Sequence, residues 1–143
     1  MSLLTLVASA AAMAVQPVHT VDLEHRGTTY RVDYRAQVET RMRTVGMSAG
    51  PRTSTQRCVV TAKVMVERVI AGPQGQHELK SVLPGTETLT DHMPGDCRGR
   101  EDHGQKLVAG KAQTVATHLA QAASADRQAA LAAIDTAHHF AAN

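Results

Sequence analysis

A chain of 143 residues with 15 Lys and Arg against 13 Asp and Glu, two tyrosines (Tyr30, Tyr34), one phenylalanine (Phe140) and no tryptophan has room for one domain with one modest core. That core must be built from Val, Leu, Met and Ala, because the aromatic side chains that bury most area are nearly absent. The same scarcity argues against nucleic acid, whose single strands are held on aromatic stacking platforms, and no stretch beyond the N-terminus is apolar over the roughly 20 residues that a membrane-spanning helix needs.

Residues 1–14 are the most informative segment. Leu3 to Val7 run into Ala8-Ser9-Ala10-Ala11-Ala12-Met13-Ala14. This run is too short to cross a bilayer but fits the apolar region of a secretory signal, and Ala12 with Ala14 supplies the A-x-A cleavage pattern. Cleavage there starts the mature chain at Val15 and leaves a single domain over residues 15–143. No Lys or Arg precedes Arg26, so either the signal is atypical or its basic residues lie upstream of Met1. The competing reading is an apolar helix or strand of the core. Export to the periplasm or beyond suits Cys58 and Cys97, for which only one intramolecular pairing exists. Closing a loop of about 40 residues removes roughly 4 kcal/mol of denatured-state freedom as an upper figure. Two buried thiols or two metal ligands are the alternatives, and a redox pair is not expected without a C-x-x-C motif.

After the leader the sequence reads in period two. Val18, Val21 and Leu23 mark a short strand, Arg26-Gly27 a tight hairpin turn, and Tyr30, Val32, Tyr34, Ala36 and Val38 alternate with Arg31, Asp33, Arg35, Gln37 and Glu39. That alternation predicts an antiparallel strand with one wet face. Met42 to Thr55 carries Gly46, Gly50 and Pro51 and is expected to be an exposed connection. Cys58, Val60, Ala62, Val64 and Val66 resume the alternation, Gly72-Pro73-Gln74-Gly75 turns the chain, and His77, Leu79, Ser81 and Leu83 mark a fourth strand. Residues 84–99 are expected to be a loop containing Cys97.

Beyond it the period becomes helical. Val108, Ala112, Val115, Leu119 and Ala122 recur at three and four and predict a long helix. Ser124 or Asp126 would cap a second, shorter helix reaching about Phe140, with Leu131 and Ile134 inward. The expected fold is therefore α+β: an antiparallel meander of about four strands, then one long and one shorter C-terminal helix within 100–141, packed on one sheet face. A Cys58–Cys97 disulfide would staple the helix entry to the sheet.

Four groups of residues could carry chemistry. Gly46-Met47-Ser48-Ala49-Gly50 matches G-x-S-x-G, but Pro51 follows and no helix begins, so the strand-to-helix elbow that exposes a serine nucleophile is lacking. Between Thr40 and Val66 stand Arg41, Arg43, Arg52, Arg57 and Lys63 with no acidic residue among them. Such a stretch could meet an anionic envelope component or a protein partner, against the plainer reading of solvated strand and loop charges. Histidines number 8 and are scattered. A set of His92, Asp96 and His103, with Met93 for copper(I), is the alternative metal site, although no chelating spacing supports it. Asp91, Asp96, Glu101 and Asp102 fail the spacing of a calcium loop, and Asp96 or Asp102 reads more simply as a helix cap.

Heavy use of Ala, and of Arg over Lys, with Asn143 as the sole asparagine, suggests a GC-rich bacterial source. The expectation is an exported bacterial protein, periplasmic or secreted, with one disulfide, no cofactor, no catalytic residue and a binding or structural role. Its anion or partner contacts would be Arg41, Arg43, Arg52 and Arg57. The alternative is a periplasmic metal-binding protein using the 92–103 segment.

Overall fold

The computed structural model describes residues 16–142 except Gln74 and Gln76. The leader expected over residues 1–14 lies outside the described residues. Seven elements follow: β1 (Val18–His25), β2 (Thr28–Val45), β3 (Arg57–Ala71), β4 (Leu79–Val82), β5 (Glu87–Pro94), α1 (His103–Gly110) and α2 (Ala112–Ala141). The strands form one antiparallel sheet and both helices lie on one of its faces, so the α+β expectation holds.

β1 and β2 are joined by the two residues Arg26 and Gly27, with φ of 51° and 77°. Positive φ at both central positions is what a type I′ turn requires, and it matches the right-handed twist of the strands it joins. β2 then pairs with β3 without interruption from Arg31↔Ala71 to Val45↔Arg57. β4 lies opposite Glu67–Ile70 and β5 opposite Arg57–Val64, so both run along the same edge of β3. Between them the Leu83 amide donates to the Val66 carbonyl at 2.8 Å. The edge is in effect one strand broken at Pro84-Gly85, which preserves the four-strand meander as its plan.

Three local expectations are corrected. Met42 to Val45, expected to open the connection, continue β2 against β3. Residues 84–99 are not all loop, because Glu87–Pro94 is strand β5. Only Leu89 and Met93 carry its apolar alternation, among Thr, Asp, His and Pro. The long edge of β3, rather than the strand's own pattern, holds it. The helices also come in the opposite order, short then long. Ser124 and Asp126 lie inside α2, and the break falls at Gly110-Lys111 instead. Asp126 does not cap a helix, because its side chain turns inward to the sheet.

Residues 30–44 of even number on β2 and 58–70 of even number on β3 face the helices; odd-numbered residues face away. The core is Tyr30, Val32, Tyr34 and Ala36 of β2 with Cys58, Val60, Ala62, Val64, Val66 and Ile70 of β3. Over it lie Val115, Leu119, Ala123, Ala130 and Ile134 of α2, at the spacing of one helical stripe. Alanine on that stripe lets α2 approach the sheet closely, which suits a core poor in aromatics. Cys58 and Cys97 are bonded, with Cα atoms 4.9 Å apart, and fix the segment entering α1 to β3. The Cys97 amide also donates to Thr44 Oγ1 at 3.1 Å.

One polar cluster crosses the core. Arg68 of β3 donates through Nη1 to both carboxylate oxygens of Asp126, at 2.9 and 3.0 Å, and the Tyr34 hydroxyl donates to Asp126 Oδ2 at 3.1 Å. Burial, reinforced by the Asp126 charge, pushes the Tyr34 hydroxyl up to about 12. This cluster fixes the middle of α2 against β2 and β3.

Candidate functional site

The sheet face turned away from the helices carries the most distinctive charge pattern. Period two places Arg31, Asp33, Arg35, Glu39, Arg41 and Arg43 of β2 on it, with Arg57, Lys63 and Glu67 of β3. The hairpin end of this face is mixed. Asp33 accepts from Thr20 Oγ1 at 2.8 Å and from Arg31 and Arg35 at 3.2 and 3.3 Å; burial works to raise its pKa, but the Thr20 hydroxyl and the two guanidinium groups together hold it below the usual value.

The other end is basic. Arg41 lies opposite Thr61, Arg43 opposite Val59 and Arg57 opposite Val45, so Arg43 and Arg57 are diagonal neighbours on adjacent strands. Lys63 lies opposite Glu39, the one acidic side chain among them. Glu39 is engaged by Arg41 at 2.8 Å, and that hydrogen bond lowers its pKa. Arg43, Arg57 and Lys63 form no ion pair among the described residues. Val59 also points to this face, yet is only 9% exposed, flanked across the strands by Arg43 and His92.

Arg52 lies just beyond this end, in the connection between β2 and β3, where its amide donates to the Ala49 carbonyl at 2.8 Å. Gly46 to Gly50 belong to that same connection between antiparallel strands, so Ser48 is exposed on a hairpin tip and not on a strand-to-helix elbow. Three of the four arginines singled out by sequence are thus brought onto one face, and the fourth borders it.

The alternative metal set is not assembled. Asp91 and Met93 face the helices while His92 faces away, since neighbours on a strand point to opposite sides. His103 reaches Asp91, with Nε2 2.9 Å from Oδ2, and thereby lies on the helix side, across the sheet from His92. This contact is the main cause holding the Asp91 carboxyl below its usual range. Asp96 instead accepts from the Arg98 amide at 3.3 Å. Among the described residues no three His, Cys, Asp or Glu side chains group closely enough to hold a metal ion. Asp102 does occupy the N-cap of α1, but its carboxylate meets Lys106 at 2.6 Å and makes no side-chain cap bond.

A second polar group lies at the C-terminal end of α2. His25 Nε2 is 2.7 Å from Asp135 Oδ1, Arg26 Nη2 is 3.1 Å from the same oxygen, and the Tyr30 hydroxyl is 2.5 Å from His138 Nε2. The hydrogen bond from His25 holds the Asp135 carboxyl low, with help from the Arg26 charge. Beside it an apolar cleft of about 330 Å³ is lined by Tyr30, Ile70, Leu79, Ile134, Ala137 and His138. Sequence reasoning missed these pairs, because partners separated by 110 and 108 positions leave no local pattern. They act as clamps between α2 and the β1–β2 hairpin.

No family model, curated protein or solved structure matches the chain. Two statements about its setting stand on the structure alone: the Cys58–Cys97 disulfide is formed, and among the described residues no helix is long and apolar enough to cross a membrane.

Proposed function

We propose that this is an exported bacterial protein with a non-catalytic binding role, and that the basic end of its open sheet face holds an anionic component of the cell envelope. The observation that carries the reading is the grouping of Arg41, Arg43, Arg57 and Lys63 on the sheet face turned away from the helices, opposed there by Glu39 alone among the described residues. A β-sheet is rigid, so cations projecting from it keep fixed spacing and recognise an extended array of phosphate or carboxylate groups. The apolar leader of residues 1–14 and the disulfide support the placement outside the cytoplasm.

The test is retention on vesicles containing anionic phospholipid, compared with zwitterionic vesicles, at low and high salt. Each basic residue near an anionic surface contributes about 1 kcal/mol. Replacing Arg41, Arg43, Arg52 and Arg57 by Ser should therefore lower affinity by up to roughly a thousandfold at low ionic strength, with much less effect at high salt. Equal retention of the wild type and the fourfold variant would reduce the basic end to solvated surface.

A further inference from the structure

Among the described residues, the outer edge of β2 is paired over only half its length. β1 reaches along it as far as Val18↔Arg35, and the Ala36 amide donates to the Pro17 carbonyl at 3.3 Å. From Gln37 to Val45 no strand among the described residues pairs with that edge, although β3 pairs with the opposite edge throughout. At roughly 3.3 Å per residue, this leaves an open edge on the order of 30 Å long. It contains no proline and its register on β3 has no bulge, so two of the usual devices that block strand addition are missing.

The hydrogen-bonding phase of this edge follows from the hairpin. His25 and Thr28 flank a two-residue turn and exchange both of their backbone bonds, so even-numbered residues of β2 direct N–H and C=O toward the β1 side. The Ala36–Pro17 bond has this phase. Val38, Thr40, Met42 and Thr44 therefore present backbone donors and acceptors at the uncovered stretch.

We infer that a second copy of this chain occupies the edge, pairing β2 with β2 antiparallel about a two-fold axis at Thr40. In that register Thr40 meets Thr40 of the second copy, and Val38 meets Met42 of the second copy on the helix side. On the open face Glu39 meets Arg41 of the second copy and Gln37 meets Arg43. Each of these contacts is repeated by symmetry, as an isologous interface demands. Val38, Thr40 and Met42 would exchange about six backbone hydrogen bonds across the axis. Opposite charges placed symmetrically on either side of one residue, at Glu39 and Arg41, match the strand's own antiparallel copy better than any strand of uniform charge. Single-sign charge would have protected this edge, and the strand does not carry it. The assembly fuses two sheets into one, and because paired residues project to the same side, both open faces and both basic ends lie side by side. The dimer does not depend on the anion-binding reading.

Light scattering and sedimentation of the chain beginning at Val15, over a wide concentration range, test this directly. The expected result is a concentration-dependent dimer. Glu39→Arg and Arg41→Glu should each raise its dissociation constant at least about tenfold by opposing like charges, and the double variant E39R/R41E should restore it. Thr40→Pro removes a central outward-pointing donor and should abolish the dimer. Circular dichroism melts show whether each variant remains folded. A chain that stays monomeric throughout overturns the proposal. A dimer indifferent to all four variants places the interface elsewhere, and failure of the double variant to recover refutes the register. None of these readouts involves an anionic surface, so failure here leaves the vesicle experiment to be judged separately.

Discussion

The Arg68–Asp126–Tyr34 cluster offers the sharpest test of how the helix layer is held. Both charged side chains are deeply buried, at 9% and 8% exposure, so water cannot replace a lost partner. Asp126→Ala would leave the Arg68 guanidinium buried without its counter-ion and the Tyr34 hydroxyl without its acceptor. Breaking a buried pair from one side costs about 3–5 kcal/mol. At about 4 °C per kcal/mol for a domain of this size, the melting temperature should fall by roughly 12–20 °C. Replacing both members with apolar residues of similar volume, R68M/D126L, removes the desolvation cost along with the attraction. That double variant should lie within about 2 kcal/mol of the wild type, because the Arg68 Nε atom that lacks a hydrogen-bond partner in the native core is removed as well. Thermal and urea melts followed by circular dichroism distinguish the two cases. An Asp126→Ala variant losing less than about 1 kcal/mol would refute the claim that this pair is isolated from solvent. Equal losses in the single and double variants would show that packing volume, not charge pairing, is what Asp126 contributes.

Two further outcomes follow from close contacts. Helix propensity alone predicts that Gly104→Ala in α1 gains up to about 1 kcal/mol, but a Cβ there would lie 2.6 Å from Thr40 Cγ2 and 2.8 Å from Thr40 Cβ. The substitution should therefore destabilise the fold, by about 1–3 kcal/mol as an overpacked contact, and a gain in a urea melt would show that α1 is free to lift from β2. The second outcome concerns acid. The Asp91 and Asp135 carboxyls are held below their ordinary value of 3.8 by hydrogen bonds from His103 and His25 respectively. Their contribution is present above that value and is lost as pH falls through their lowered folded-state values. These contacts are exposed to solvent, so their loss below about pH 4 should lower stability only modestly, and Asp135→Asn should remove part of that fall. An unchanged acid profile in the variant would mean that the His25 contact does not survive in solution.

The sheet was largely legible in the sequence because strand alternation is a local signal. Tyr30 to Val38 and Cys58 to Val66 declare their faces within one strand each, and Arg26-Gly27 specifies its own turn. β5 was obscured because its stability comes from the waiting edge of β3. The break between the helices was misplaced for a related reason: Ser124 and Asp126 are good capping types, but Asp126 is bound by Arg68, 58 positions earlier. With its carboxylate consumed inside the core, it could not cap the start of a second helix, and the break falls at Gly110-Lys111 instead. The basic stretch was visible as composition. Its conversion into a face was not, because that depends on the β2–β3 register, which puts Arg57 beside Arg43 and leaves Arg52 in the connection.

The same alternation divides the sheet into a structural side and an exposed side, and the lengths of the strands then decide where the exposed side is most accessible. β1 has 8 residues and β2 has 18, so β1 shields the hairpin end, where Asp33, Arg31 and Arg35 neutralise one another. The unshielded part of β2 begins beyond that compensation and carries Arg41, paired with Glu39, and Arg43, which forms no ion pair among the described residues. Segment 37–45 therefore combines an open backbone edge with the outer border of the basic face. A strand added at the edge through main-chain pairing would extend the basic face, with Arg41 and Arg43 meeting the second copy at the seam and Arg57 and Lys63 of β3 left accessible. Self-association and anion binding are thus compatible on one segment: Thr40→Pro tests the edge, with its effect on the Thr40–Gly104 contact read from the melts, and Arg57→Ser tests the face alone.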